Sequence, residues 1–406
     1  GAHVRAYRNT MTLPSPSPFA RHWDLDPEVI FLNHGSFGAC PRVIMERQHE
    51  LRREMEAQPL RFLHHTLEQR IDACKPRLAQ LVGCEVEDLA LVANATTGVN
   101  TVLRSLTFAP GDELLVTDHE YNASRNALEY VAERSGAQIV VVPIPFPIAD
   151  PNQIVADLVD KATDRTRLCL IDHVTSPTGV IMPVAEIVAA LNARGIDTLV
   201  DGAHAPGMLP LDLTELNAAY YTGNCHKWLC TPKGSALLWV RRDRQAPIRP
   251  LSISHGANAV RSDRSRFRLE FDFTGTNDFT AWMCIPDAIA FLESLLPGGI
   301  AELRQHNHDL AIAGRNLLCE ALGTEPPAPE SMIGSLASVI LPDPDPEGPP
   351  AMSGDPMQAL LWEQHKIEVP VMNWPHPKLR LLRISPQIYN SIEQYAYLAQ
   401  AIQTLV

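Results

Sequence analysis

The chain has 406 residues, 45% of them hydrophobic and 20% charged, a composition that suits two or three globular domains and excludes a disordered or fibrous chain. Its 34 Lys+Arg against 47 Asp+Glu leave a net charge of −13, which argues against nucleic acid or an anionic membrane as the main partner. No apolar run approaches the roughly 20 residues of a membrane span. Residues 1–18 lack the apolar core of a signal peptide and read as a frayed end. The eight cysteines include no Cys-x-x-Cys pair, so they read as reduced thiols in a cytoplasmic protein.

In chain order, helical periodicity runs through Ile44–Leu60 and Leu67–Leu81, closed by Gly83. Seven strand candidates follow: Leu89–Val92, Glu113–Thr117, Gln138–Val142, Arg167–Val174, Thr198–Asp201, Ala218–Thr222 and Ala236–Val240. Helical stretches near 98–107, 123–135, 152–163 and 183–194 separate them. This alternation predicts an α/β fold with a mostly parallel seven-stranded sheet. Runs such as Leu168-Cys-Leu-Ile171 are apolar throughout, as strands covered on both faces must be. After about residue 290 the texture changes. Helices are expected near 300–322 and 355–366, with β-rich runs at Leu336–Leu341 and Leu379–Ser385. The proline-rich stretch 342–350 reads as a stiff loop. The expected organisation is an N-terminal segment (1–40) packing near a small domain, a large α/β domain (41–290) and a small α+β domain (291–406).

The strongest chemical constellation is Asp201-Gly-Ala-His204, with Lys227 23 residues later in Asn224-Cys-His-Lys-Trp228. Asp201 ends a strand, and the carboxyl ends of parallel strands form the ligand crevice of open α/β sheets. A lysine and a carboxylate facing one ligand there suit pyridoxal 5'-phosphate (PLP). The amine forms a Schiff base with the aldehyde, and the carboxylate keeps the pyridine nitrogen protonated. Ala95-Thr-Thr-Gly98 precedes a helical stretch and offers backbone N–H groups to a phosphate. Cys225, His226 and Cys230 lack a second ligand pair, so no metal is expected. Gly-x-Ser-x-Gly, P-loop and His-Glu-x-x-His patterns are absent.

The flanks of these residues, Val200-Asp-Gly-Ala-His-Ala-Pro-Gly207 and Asn224-Cys-His-Lys-Trp228, together with Phe31-Leu-Asn-His-Gly-Ser-Phe-Gly38 and Leu381-Leu-Arg-Ile-Ser-Pro-Gln-Ile-Tyr-Asn390, occur in family order over nearly the whole chain. They resemble the class V aminotransferase family of fold type I PLP enzymes, and within it the isopenicillin N epimerase-like subgroup, which also contains C–S lyases. The resemblance implies that Lys227 carries the Schiff base, Asp201 pairs with the pyridinium and His204 lies near the ring 3-oxygen. It implies that His119 stacks on the ring and that Ala95, Thr96 and Thr97 bind the phosphate. Asn224 and His226 flank the lysine, Asn224 standing where the family often has Ser or Thr. Gly275 and Thr276 resemble a segment that a second subunit lends to the phosphate, implying a homodimer with shared sites. Arg383 resembles the family's carboxylate arginine, with Arg380 as its rival. A guanidinium fits a carboxylate through two parallel hydrogen bonds.

With Cα deprotonated, the candidate outcomes are epimerisation or racemisation, loss of a group from Cβ, and transamination. Lys227 is the base on one face, and Tyr121, His119 or His34 is a candidate on the other. His34 and Ser36 are also candidates for holding substrate. Residues 320–406 contain no cysteine, so a persulfide-forming cysteine desulfurase is not expected. A non-catalytic PLP-fold binding protein is the alternative from another class.

Overall fold

The computed structural model describes residues 12–343, 355–374 and 379–406. Most of the proline-rich stretch 342–350, and residues 1–11, lie outside them.

The central sheet consists of β1 (Leu89–Val92), β2 (Glu113–Thr117), β3 (Gln138–Val142), β4 (Thr166–Asp172), β5 (Asp197–Asp201), β6 (Tyr220–Asn224) and β7 (Ala236–Val240). Their spatial order is β1–β7–β6–β5–β4–β2–β3. β7 runs antiparallel to both its neighbours, and the other pairs are parallel. Side chains alternate between two apolar layers, as a period of two requires. Leu168, Leu170 and Leu199 face one layer. Cys169, Ile171 and Val200 face the other. Burial on both faces explains why these strands read as unbroken apolar runs.

β6 lies two residues further along than the sequence pattern placed it. Thr222-Gly-Asn224 looks like a turn, yet Gly223 pairs with Leu237 and Asn224 with Ala236. The ladder to β7 overrides the local preference. Asn217, left-handed at φ 58, ends the helix Leu213–Leu216 and delays the strand.

In the C-terminal part, Arg380–Ile384 is the centre of an antiparallel sheet between Val371–Asn373 and Ala337–Leu341. Helices Gly299–Leu322 and Ile392–Leu405 pack together behind it. The second of these was not anticipated, although Ser391 and Gln394 form a capping box at its start. Ile30–Phe31 pairs in parallel with Ile367–Glu368, and the Ser17 N–H donates to the Tyr389 carbonyl at 2.9 Å. The N-terminal segment is thus stitched to the C-terminal one. Among the described residues no single helix is long and apolar enough to cross a membrane.

Candidate active site

Two strand ends define the floor of the site. β4 and β5 are in register, with Asp172 directly opposite Asp201. Each carboxylate is 3% exposed. Asp201 accepts the Ser124 hydroxyl at 2.7 Å and the Ala203 N–H at 3.1 Å. Asp172 accepts the Tyr121 N–H at 3.1 Å. Glu120 completes a cluster of three carboxyl groups whose oxygens lie within 4.8 Å of one another. Burial pushes all three up, and like charges add to the shift of Asp172 and Glu120. Glu120, beside Asp201, rises to about 8. Asp201 holds two donors, so it is the member best able to stay ionised.

Lys227 follows β6 and faces the same space. It keeps partial exposure because it borders a cavity, yet protein surrounds it on the remaining sides. Burial is the largest cause of its lowered pKa, about 8, and the Arg383 guanidinium adds to it, against the pull of Asp201 and Asp172. Roughly a tenth of the amine is therefore unprotonated at pH 7, far more than for an ordinary lysine.

The helix Ala95–Ser105 points its N-terminus at this cavity. Asn94 caps it through the Thr97 N–H at 2.7 Å, and Asn224 accepts the Ala95 N–H at 2.8 Å. Gly98 lets the helix lie against β6, since a Cβ there would overlap the Thr222 hydroxyl. His226 accepts the Ser235 N–H on Nδ1 at 3.3 Å. Burial and the neighbouring Lys227 and Lys233 hold it neutral, with its pKa near 4.

Two chambers meet at Lys227. The inner one, about 310 Å³, is lined by Ala95, Thr96, Asp172, Asp201, His204, Asn224, His226 and Lys227. The outer one, about 590 Å³, is lined by Tyr121, Arg125, Pro177, Trp374 and Arg383, among others. Ser36, Tyr121 and Ser176 border both. Arg383 is 3% exposed. Its Nη1 donates to the Ser176 carbonyl at 2.7 Å and to its hydroxyl at 3.2 Å, and its Nη2 to the Ser36 hydroxyl at 3.3 Å. Its Nε has no partner. Among the described residues no carboxylate reaches it, and burial lowers its pKa to about 10. Arg380 instead grips Asp355 through Nε at 2.7 Å and Nη2 at 2.9 Å, on the other face of the strand.

Several expected positions differ from what the structure holds. The His119 ring does not line either chamber. Its Nδ1 is 2.9 Å from the Thr178 hydroxyl, its Nε2 is 2.9 Å from the Ile144 carbonyl, and it packs on Trp374 at 4.2 Å. Tyr121, 37% exposed, occupies the wall where His119 was expected. His34 is fully buried and bonded through both nitrogens, so it cannot hold substrate or move a proton in the cavity. Ser36 does reach the cavity. Thr97 spends its N–H on Asn94 and is absent from the described lining. Gly275 and Thr276 lie outside both chambers, and Thr276 borders a separate apolar groove of about 660 Å³ with Leu60, Leu63 and His64. Asp172, Glu120 and Ser124 were missed. Asp172 carried a readable signal, since it ends an apolar strand just as Asp201 does.

A lysine amine, a buried carboxylate and a helix N-terminus converging on one chamber fit PLP: amine for the aldehyde, acid for the ring nitrogen, and the helix start for the phosphate through the Thr96 N–H, which lies between two N–H groups already given to Asn224 and Asn94. Fold and site together define a PLP-dependent enzyme of fold type I. Residues 29–348 match the family model described as aminotransferase class-V, and the chain belongs to that family. It is 35% identical over 396 residues to an isopenicillin N epimerase of Streptomyces clavuligerus, covering 94% of this chain and 96% of that one. It is 32% identical over 408 residues to a putative L-cysteine desulfhydrase of Oryza sativa subsp. japonica, covering 92% and 83%. Among solved structures it resembles a C-DES variant with glycine covalently linked to its PLP, at TM-score 0.79 and 22% identity, covering 95% and 99% of the two chains.

Proposed function

We propose that the protein removes the Cα proton of an amino-acid substrate and acts as an epimerase or as a C–S β-lyase. The observation that carries this reading is Arg383, a buried cation with no anionic partner among the described residues, in the same cavity as Lys227. A substrate carboxylate on Arg383 holds the amino acid with its Cα near the lysine amine. PLP, when bound, supplies the electron sink for charge developing at Cα. Lys227, partly unprotonated at neutral pH, takes the proton. Asp201, supported by Ser124 and Ala203, presents a carboxylate to the ring nitrogen. Asn224, His226 and Thr96 form the phosphate end.

Tyr121, which borders both chambers, is the acid. Burial and the nearby Asp201 raise its phenol pKa, so it keeps its proton and can donate it. Delivery to Cα gives the inverted amino acid, and delivery to a sulfur on Cβ completes elimination. The 35% identity to an epimerase and the 32% identity to a putative desulfhydrase support keeping both. No cysteine borders either chamber among the described residues, which supports a route without an enzyme-bound persulfide. We also infer a homodimer. Leu60, 69% exposed, and the apolar groove beside it need cover, and Thr276 at its rim, with Gly275 next to it in the chain, would then reach the partner's phosphate site.

The test is incubation of the holoenzyme with L-amino acids and S-substituted cysteines in deuterated water. Deuterium at Cα with inversion indicates epimerisation, and pyruvate with a thiol indicates elimination. Absence of exchange at Cα for every substrate would overturn the reading.

A further inference from the structure

The segment Phe31–Gly38 reaches the cavity only through Ser36 and its immediate neighbours, yet its histidine is among the most enclosed groups in the protein. His34 Nε2 lies 2.8 Å from the Lys227 carbonyl, and Nδ1 lies 2.7 Å from the Tyr389 hydroxyl. A carbonyl only accepts, so Nε2 carries the hydrogen and Nδ1 accepts the phenol proton. Burial keeps the imidazole neutral, its pKa down to about 3, so this single arrangement holds. Gln387 Nε2, 3.5 Å from the same nitrogen, donates to Cys230 Sγ instead at 3.7 Å. Tyr389 is anchored in turn. Its ring meets Trp23 edge-on at 5.1 Å, and its carbonyl accepts from Ser17.

Two further features show how tightly the lysine backbone is held. Cys230 closes the turn after Lys227 with φ 58, donating its N–H to the Lys227 carbonyl at 3.3 Å. That conformation is costly for a residue with a side chain and persists only where surroundings enforce it. Gly38, at φ 71, passes so close that a Cβ would overlap the His226 carbonyl and come within 2.9 Å of the Lys227 Cα.

We propose that Tyr389 and His34 form a one-way hydrogen-bond chain that aims Lys227, fixing its carbonyl and hence the direction from which its amine reaches the cofactor and Cα. This rests on Lys227 being the reacting amine. Both are positioning residues, since neither reaches the cavity. Misplacement by about 1 Å is enough to cost a reaction on the order of 100-fold.

The experiment uses holoenzyme carrying Tyr389→Phe, His34→Gln or His34→Leu. Tyr389→Phe keeps the ring packing and removes only the donor that fixes the imidazole tautomer. Its kcat is expected to fall about tenfold or more, with KM and melting temperature little changed. The rate at which added PLP becomes borohydride-trappable on the apoprotein should fall with it. His34→Gln keeps an N–H donor, so it should retain about tenfold more activity than the similarly sized His34→Leu. Wild-type kcat and wild-type trapping in Tyr389→Phe would overturn the proposal. So would equal activity of the Gln and Leu variants, whether both active or both dead. If the reduced label in the wild type maps to another lysine, the assignment of Lys227 fails instead, and the two failures are told apart.

Discussion

Replacing Arg383 with Met removes the charge while keeping most of the volume. In the wild type the guanidinium is desolvated, and among the described residues it donates to Ser176 and the Ser36 hydroxyl. On the proposed reading, a substrate carboxylate is its anionic partner. Each charge-assisted hydrogen bond contributes about 1.5–3 kcal/mol, so a two-bond grip comes to about 3–6 kcal/mol. At roughly 1.4 kcal/mol per factor of ten, kcat/KM should fall about 10²- to 10⁴-fold. The unliganded protein should lose no stability, because an unpaired buried cation is a cost that the substitution removes. Arg383 also disfavours the Lys227 ammonium, so its loss should raise the lysine pKa above about 8 and shift the alkaline rise of the activity profile upward. The assay compares kcat/KM for an amino acid and for its carboxamide. The wild type should prefer the carboxylate strongly, and the variant should be nearly indifferent. A variant that kept the preference for the free carboxylate would refute the assignment of Arg383.

Gly98→Ala should push the phosphate-facing helix off β6 by forcing a Cβ against Thr222. It should weaken PLP binding about tenfold or more and cost roughly 1–3 kcal/mol of stability by overpacking, measured by cofactor titration and denaturant unfolding. Glu120 binds its proton more tightly folded than unfolded, with its pKa raised to about 8. Folding stability of the apoprotein should therefore fall as pH rises from about 4.5 towards 8, by on the order of a few kcal/mol. Glu120→Gln should flatten that slope, and an unchanged slope would count against the cluster. The protein is expected to sediment as a dimer, and Leu60→Asp should shift it towards monomer and release PLP, while a wild-type profile would argue against the groove as the interface. Lys227→Ala should leave no borohydride-reducible cofactor on the protein, read by mass spectrometry.

Much of this site was legible in the chain. Apolar runs ending in Asp201 and followed by Lys227 placed two groups at the head of a parallel sheet, because strand ends are set by local pattern and crossover handedness. The small residues of Ala95–Gly98 marked a helix start for the same local reason. Position in the motif favours Arg383 over Arg380, strand alternation puts the two on opposite faces, and the pairing of Arg380 with Asp355 shows those faces.

What the sequence could not supply depends on register and depth. Asp172 stands beside Asp201 because β4 and β5 pair in a particular register, and Glu120 joins them from the end of β2. Three carboxyls scattered over 82 positions become one electrostatic unit only when the sheet forms. Spacing alone made His119, Tyr121 and His34 equal candidates for the wall of the cavity. Tertiary packing separates them. Buried imidazoles must satisfy both nitrogens, so His119 turns to Thr178 and Ile144 and His34 to Lys227 and Tyr389, leaving Tyr121, with one end wet, on the cavity wall.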